Sequence, residues 1–139
     1  MNIYLDIDGV LLANENALAP HAEEFLNTVL DKYPSSTYWL TTHCWRGENR
    51  AVEILSPHIS PELIERIMQI KPTEWDEAKT DAIDFSQPFL WFDDDLYPEE
   101  RTALEVHGAI AGWVGIDLAN DPNQLQKQIE ELATLKNNL

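Results

Sequence analysis

The chain has one cysteine, four histidines and only nine Lys and Arg among its 139 residues. Each shortage removes a class of answer. A lone cysteine excludes an intramolecular disulfide framework, and with four histidines beside it there is little material for a Cys/His zinc cage. No apolar run approaches the ~20 residues of a membrane span, and the N-terminus lacks the basic, then apolar, layout of a signal peptide. The expectation is a cytoplasmic domain with no membrane partner. Against nine bases stand 25 acids, for a formal charge of −16. No basic cluster is present to hold a phosphate backbone, so nucleic acid is not an expected partner, whereas the same field attracts divalent cations. A hydrophobic share of 44% with 24% charged residues is ordinary globular usage and excludes wholesale disorder. The length suits one domain, residues 1–139.

What is present alternates along the chain. Asn2-Ile3-Tyr4-Leu5 is a short apolar run that reads as a strand covered on both faces. After about ten loose residues, Ala22, Phe25, Leu26, Val29 and Leu30 fall at helical spacing within His21 to Lys32, behind Pro20. Thr37 to Leu40 reads as a second strand and Glu48 to Leu55 as a helix stopped by Ser56-Pro57. A short helix from Pro61 and a third strand over Ile67 to Ile70 follow, then a helix over Thr73 to Phe85. Phe89 to Phe92 gives a fourth strand, Pro98 to His107 a helix closed by Gly108, Ala109 to Ile116 a fifth strand, and Pro122 to about Lys136 a closing helix. Alternation of this kind predicts an α/β fold, a doubly wound, Rossmann-like parallel sheet of about five strands with helices on both faces.

In such a sheet the carboxyl ends of the strands share a crevice. The expected strand ends deliver Asp6 and Asp8, Thr41, and Asp93 and Asp94, with Lys79 leading the helix before the fourth strand. Converging carboxylates repel by roughly 4 kcal/mol per pair at ~4 Å and an effective dielectric of ~20. A cluster of short oxygen ligands therefore calls for a hard divalent cation, Mg²⁺ above others. A cation held in this way is a partner for a phosphate.

The run from Ile3 to Leu11, with Asp6-Ile7-Asp8-Gly9-Val10 at its centre, resembles the first motif of the haloacid dehalogenase-like phosphohydrolase superfamily. Thr41, Lys79 and Asp93-Asp94 follow in the order of its other three motifs, over roughly residues 2 to 116. The resemblance implies a Mg²⁺-dependent phosphomonoesterase. Asp6 is then the nucleophile that forms an aspartyl-phosphate, and Asp8 the general acid and base. Thr41 holds the transferring phosphoryl oxygens and Lys79 offsets their charge. The metal ligands implied are Asp6, the main-chain carbonyl of Asp8, Asp93, and Asp94 directly or through water. The short interval from Asp8 to Thr41 and the short connection before Lys79 imply a member without a cap domain, its open site taking a phosphorylated small molecule or phosphoprotein.

Thr42 competes with Thr41, which directly follows the strand, and Lys71 competes with Lys79 but lies far from the fourth strand. Thr42 and Arg46 are candidate substrate-binding residues, in a His43-Cys44-Trp45-Arg46 stretch expected at the mouth of the crevice. Cys44 reads as packed, His21, His58 and His107 as structural or exposed, and Trp39, Trp91 and Trp113 as core. A signalling receiver domain uses similar residue types but sets its acid pair before the lone Asp, Thr and Lys, the reverse of the order here. A scaffold that keeps the fold without turnover and a nucleic-acid-end phosphatase are the remaining alternatives.

Overall fold

The structure is a computed structural model that describes residues 1–135. Five parallel strands form the sheet: β1 (Asn2–Leu5), β4 (Thr37–Trp39), β5 (Lys71–Pro72), β6 (Phe89–Asp93) and β7 (Trp113–Gly115). Their order is β5-β4-β1-β6-β7, so the chain winds outward from β1 in one direction and then in the other. β1 is therefore paired in register on both sides, Tyr4 facing Tyr38 and Trp91. A two-stranded hairpin, β2 (Leu12–Asn14) and β3 (Ala17–Leu18), lies between β1 and the first helix.

The two-residue period of the strands sorts their side chains into two cores. Ile3, Leu5, Trp39 and Phe92 point to one face, where they meet α1 (Ala22–Lys32), α2 (Ala51–Leu55), α3 (Pro61–Ile67) and α5 (Gln124–Thr134). Tyr4, Leu40, Phe89 and Trp91 point to the other, against Leu104 of α4 (Pro98–Val106) and Ile83. The fold is thus α/β and doubly wound, helices on both faces, as the alternation of elements predicts. No helix among the described residues is long and apolar enough to cross a membrane.

Local chemistry explains the element ends. Glu23 and Glu24 in the first turn of α1 and Lys32 in its last complement the helix dipole. Ser60 accepts the Leu63 N–H, and Pro61 opens α3 without forfeiting a needed donor.

Several elements differ from the sequence reading. The expected third strand, Ile67 to Ile70, is instead the end of α3 and a turn, and the strand is Lys71–Pro72. Ile67 and Ile70 are buried, but their apolar character serves helix packing. The expected helix over Thr73 to Phe85 contracts to a 3-10 turn, Lys79–Ala82. Its N-terminal half is committed elsewhere, since Thr73 Oγ1 donates to the Trp39 carbonyl and Trp45 Nε1 to that of Asp76. Residues 48–50 are not helical, and α2 begins at Ala51. The ten loose residues contain the hairpin. A 3-10 turn, Ile110–Gly112, precedes the shorter β7. Lys136, at the expected end of the closing helix, lies outside the described residues.

Candidate active site

The reversal of winding lies between β1 and β6, the position at which a doubly wound sheet opens a crevice at its carboxyl edge. Asp6 follows the last residue of β1, and Asp93 is the last of β6. The Asp6 N–H donates to the Phe92 carbonyl at 3.0 Å, so the two acids emerge side by side. Beyond Asp6 the chain turns sharply: the Ile7 carbonyl accepts from the N–H groups of Val10, Leu11 and Leu12. Gly9 makes the turn at φ +79°, and a β-carbon there would lie 2.2 Å from Asp94 Oδ2. Glycine is required twice over, by the left-handed backbone and by the approach of Asp94.

One carboxylate oxygen each from Asp6, Asp93 and Asp94 lies within 4.8 Å of the others. Asp6 and Asp93 are buried, and Asp94 is exposed. Lys79, opening its 3-10 turn, places its ammonium 2.7 Å from Asp93 Oδ2 and 3.4 Å from Asp6 Oδ2. Asp93 is held from two further sides, by the Trp91 indole N–H at 3.1 Å on Oδ2 and by the Asp95 N–H at 3.2 Å on Oδ1. The Ile7 N–H donates to Asp6 Oδ1 at 2.8 Å. Glu100, buried at the start of α4, accepts from the Tyr97 N–H and the Lys79 N–H, so one carboxylate caps the helix and anchors the turn that carries the lysine.

The charges do not balance. Burial holds the Asp6 carboxyl well above the usual carboxylate range, a rise that Lys79 opposes and Asp93 reinforces. Asp94 is pushed up to about 6, by burial first and then by its contact with Asp93. Burial alone would lower the Lys79 ammonium, but the two facing carboxylates more than offset it and raise its pKa. One ammonium among three acids leaves a deficit of positive charge in a cavity of about 250 Å³ lined also by Asp8, Thr42, Trp75, Glu77, Asp95, Tyr97 and Glu100. A hard cation with oxygen ligands matches this donor set, which contains neither sulfur nor imidazole.

The structure thus brings Asp6, Asp8, Lys79, Asp93, Asp94 and Thr42 to one cavity. Asp8 lines the cavity as an exposed side chain outside the group of three acids, with a hydrogen bond of 2.9 Å between Asp8 Oδ2 and His43 Nε2. Thr41 is fully buried, and its hydroxyl accepts the His43 N–H as the cap of the turn Thr42–Cys44. Of the two adjacent threonines, Thr42 lines the cavity. Arg46 faces a second, open cavity of about 540 Å³, which shares the Trp75 wall with the first. Its guanidinium pairs with Asp76 at 2.7 Å and stacks 4.2 Å from the Trp45 ring centre. Cys44 is buried, its thiol donating to Asn49 Oδ1 and its pKa raised by burial. Trp39 and Trp91 are fully buried, but Trp113 is half-buried with an indole N–H that has no partner among the described residues.

Sequence reasoning missed Glu100, and it placed His43 in the stretch expected at the mouth of the crevice without giving it a role. Glu100 carries a usable signal, since Pro98-Glu99-Glu100 places an acid at the third position of a helix that opens with proline. The pairing of His43 with Asp8 carries no such signal, because the two are 35 positions apart. Compared with models of known protein families, with curated proteins and with solved structures, the chain matches none.

Proposed function

We propose that the protein is a Mg²⁺-dependent phosphomonoester hydrolase that works through an aspartyl-phosphate, in the manner of the haloacid dehalogenase-like phosphohydrolases it resembles. The observation that carries this reading is the meeting of Asp6, Asp93 and Asp94 oxygens within 4.8 Å beside the Lys79 ammonium, at the switch point of the sheet. Asp6, Asp93, Asp94 and the main-chain carbonyl of Asp8 are the residues that hold the cation. When bound, Mg²⁺ neutralises phosphoryl oxygens and orients the ester toward Asp6.

The protein groups then divide the work. An Asp6 carboxylate oxygen attacks phosphorus, the bond from phosphorus to the ester oxygen breaks, and Asp8 passes its proton to the departing alkoxide. Water next attacks phosphorus of the aspartyl-phosphate and gives its proton to Asp8, which releases inorganic phosphate and restores Asp6. Lys79 stabilises charge at Asp6 and on the transferring group. Thr42, which lines the cavity, is the threonine to which we assign the hydrogen bond to a phosphoryl oxygen. The short hairpin is the only element between β1 and α1, which suits an open site and a range of phosphate esters.

Release of phosphate from p-nitrophenyl phosphate, with Mg²⁺ and with EDTA, tests the reading. It predicts turnover that needs the metal and is lost in Asp6→Asn. Turnover unaffected by EDTA or by Asp6→Asn contradicts it, and binding of Mg²⁺ without turnover of any ester in a broad panel favours a scaffold.

A further inference from the structure

The Asp8 side chain is 60% exposed, against 8% for Asp6. A carboxylate so exposed samples several rotamers in water, yet a proton donor must face the leaving oxygen in a defined place. His43 supplies the missing constraint. Its side chain is only 21% exposed, and its Nε2 lies 2.9 Å from Asp8 Oδ2. The backbone that carries the imidazole is itself held in place. The His43 N–H donates to Thr41 Oγ1 at 3.3 Å, the His43 carbonyl accepts from the Arg50 N–H at 3.0 Å, and the next residue, Cys44, is buried with its thiol on Asn49. The bond occupies one Asp8 oxygen and leaves the other for substrate.

We infer that His43 is a positioning residue: it holds Asp8 in the one rotamer from which its free oxygen delivers a proton to the leaving group. The inference rests on the phosphohydrolase reading and adds to it a residue from a different part of the chain. It also gives the fully buried Thr41 a role at one remove, as the cap that orients His43.

The step affected is the first, in which the phosphorus–oxygen bond breaks and the Asp8 proton moves to the ester oxygen. A good leaving group departs as its anion and needs no proton, whereas an alkoxide does. The ratio kcat/KM covers substrate capture through that first step and leaves out the later hydrolysis of the intermediate. For His43→Ala, kcat/KM falls about 100-fold on an alkyl phosphate and no more than about 3-fold on p-nitrophenyl phosphate. His43→Gln, whose amide nitrogen reaches the position of Nε2, restores most of the loss. The double variant Asp8→Asn/His43→Ala is no slower than Asp8→Asn alone, because the two residues act as a unit. Equal losses on both esters, additive losses in the double variant, or no loss on the alkyl ester overturns the inference. Turnover that survives Asp6→Asn instead overturns the phosphohydrolase reading, so the two failures are distinguishable. Nitrogen NMR of the His43 ring reads the contact without substrate: Asp8→Asn shifts the Nε2 resonance, and an unmoved resonance overturns the pairing.

Discussion

Lys79 and Asp93 form a 2.7 Å ion pair within the candidate site, the lysine side chain 13% and the aspartate 2% exposed. It joins the loop before β6 to the end of that strand, and the same ammonium reaches Asp6 at 3.4 Å after β1. A single charge thus ties together the two central strands of the sheet where their acids meet.

Removing that charge leaves buried carboxylates uncompensated. Lys79→Met is expected to cost about 3 kcal/mol of stability at neutral pH, and less in mild acid, where protons replace the missing cation. Chemical denaturation at the two pH values measures the difference. On the proposed phosphohydrolase reading, turnover of p-nitrophenyl phosphate by this variant is expected to fall at least about 100-fold.

Asp94 makes stability depend on pH when metal is absent. Its pKa is about 6 in the folded chain, above the ~3.9 of an unfolded aspartate. Between those values the native state holds more protons than the unfolded state, so stability falls as pH rises through the window. In EDTA, Tm is expected to be higher near about pH 5 than near about pH 7.5, with Asp94→Asn flattening part of the difference. Saturating Mg²⁺ raises Tm most at the higher pH, where protons no longer compete for the ligands.

Gly9→Ala tests the close approach of Asp94 to the turn. The new β-carbon would stand 2.2 Å from Asp94 Oδ2 at a backbone φ of +79°, so either the turn or Asp94 must move. A stability loss of about 2 kcal/mol is expected, together with weaker Mg²⁺ binding by calorimetry.

The two threonines separate by readout. Thr42→Ala, in the cavity wall, lowers kcat/KM with Tm nearly unchanged. Thr41→Ala removes a buried cap and costs about 1 kcal/mol, a drop of about 3–5 °C in Tm. The opposite pattern would show that Thr41 contacts substrate.

What could be read from the sequence follows the physics of each segment. β1 and β6 are apolar runs covered on both faces and ending in acids, so the sheet centre and the meeting of Asp6 with Asp93 and Asp94 were legible. Lys79 was marked only by the motif order of the resemblance, on an expected helix that is a 3-10 turn. Thr73 to Phe85 was not legible. Its residues have fair helix propensity, but Thr73, Trp75 and Asp76 are engaged by β4 and by the loop after it, and tertiary contacts override propensity. β5 is two exposed residues paired in register with Tyr38 and Trp39, too short for any periodicity. The choice between Thr41 and Thr42 turned on one residue of register at a strand end, where the chain leaves β4 for a 3-10 turn. The pairing of His43 with Asp8 spans 35 positions and exists only through the fold.

The most direct test of the central claim is to quench the reacting protein in acid and locate any covalent phosphoryl group by peptide mass mapping. With p-nitrophenyl phosphate, whose leaving group needs no proton, Asp8→Asn is expected to slow only the water-activating step, so it is the variant in which the intermediate should accumulate. The account predicts one phosphoryl group, on Asp6, formed with Mg²⁺ and absent with EDTA. Steady release of phosphate by a protein that never carries phosphate on Asp6 would contradict it.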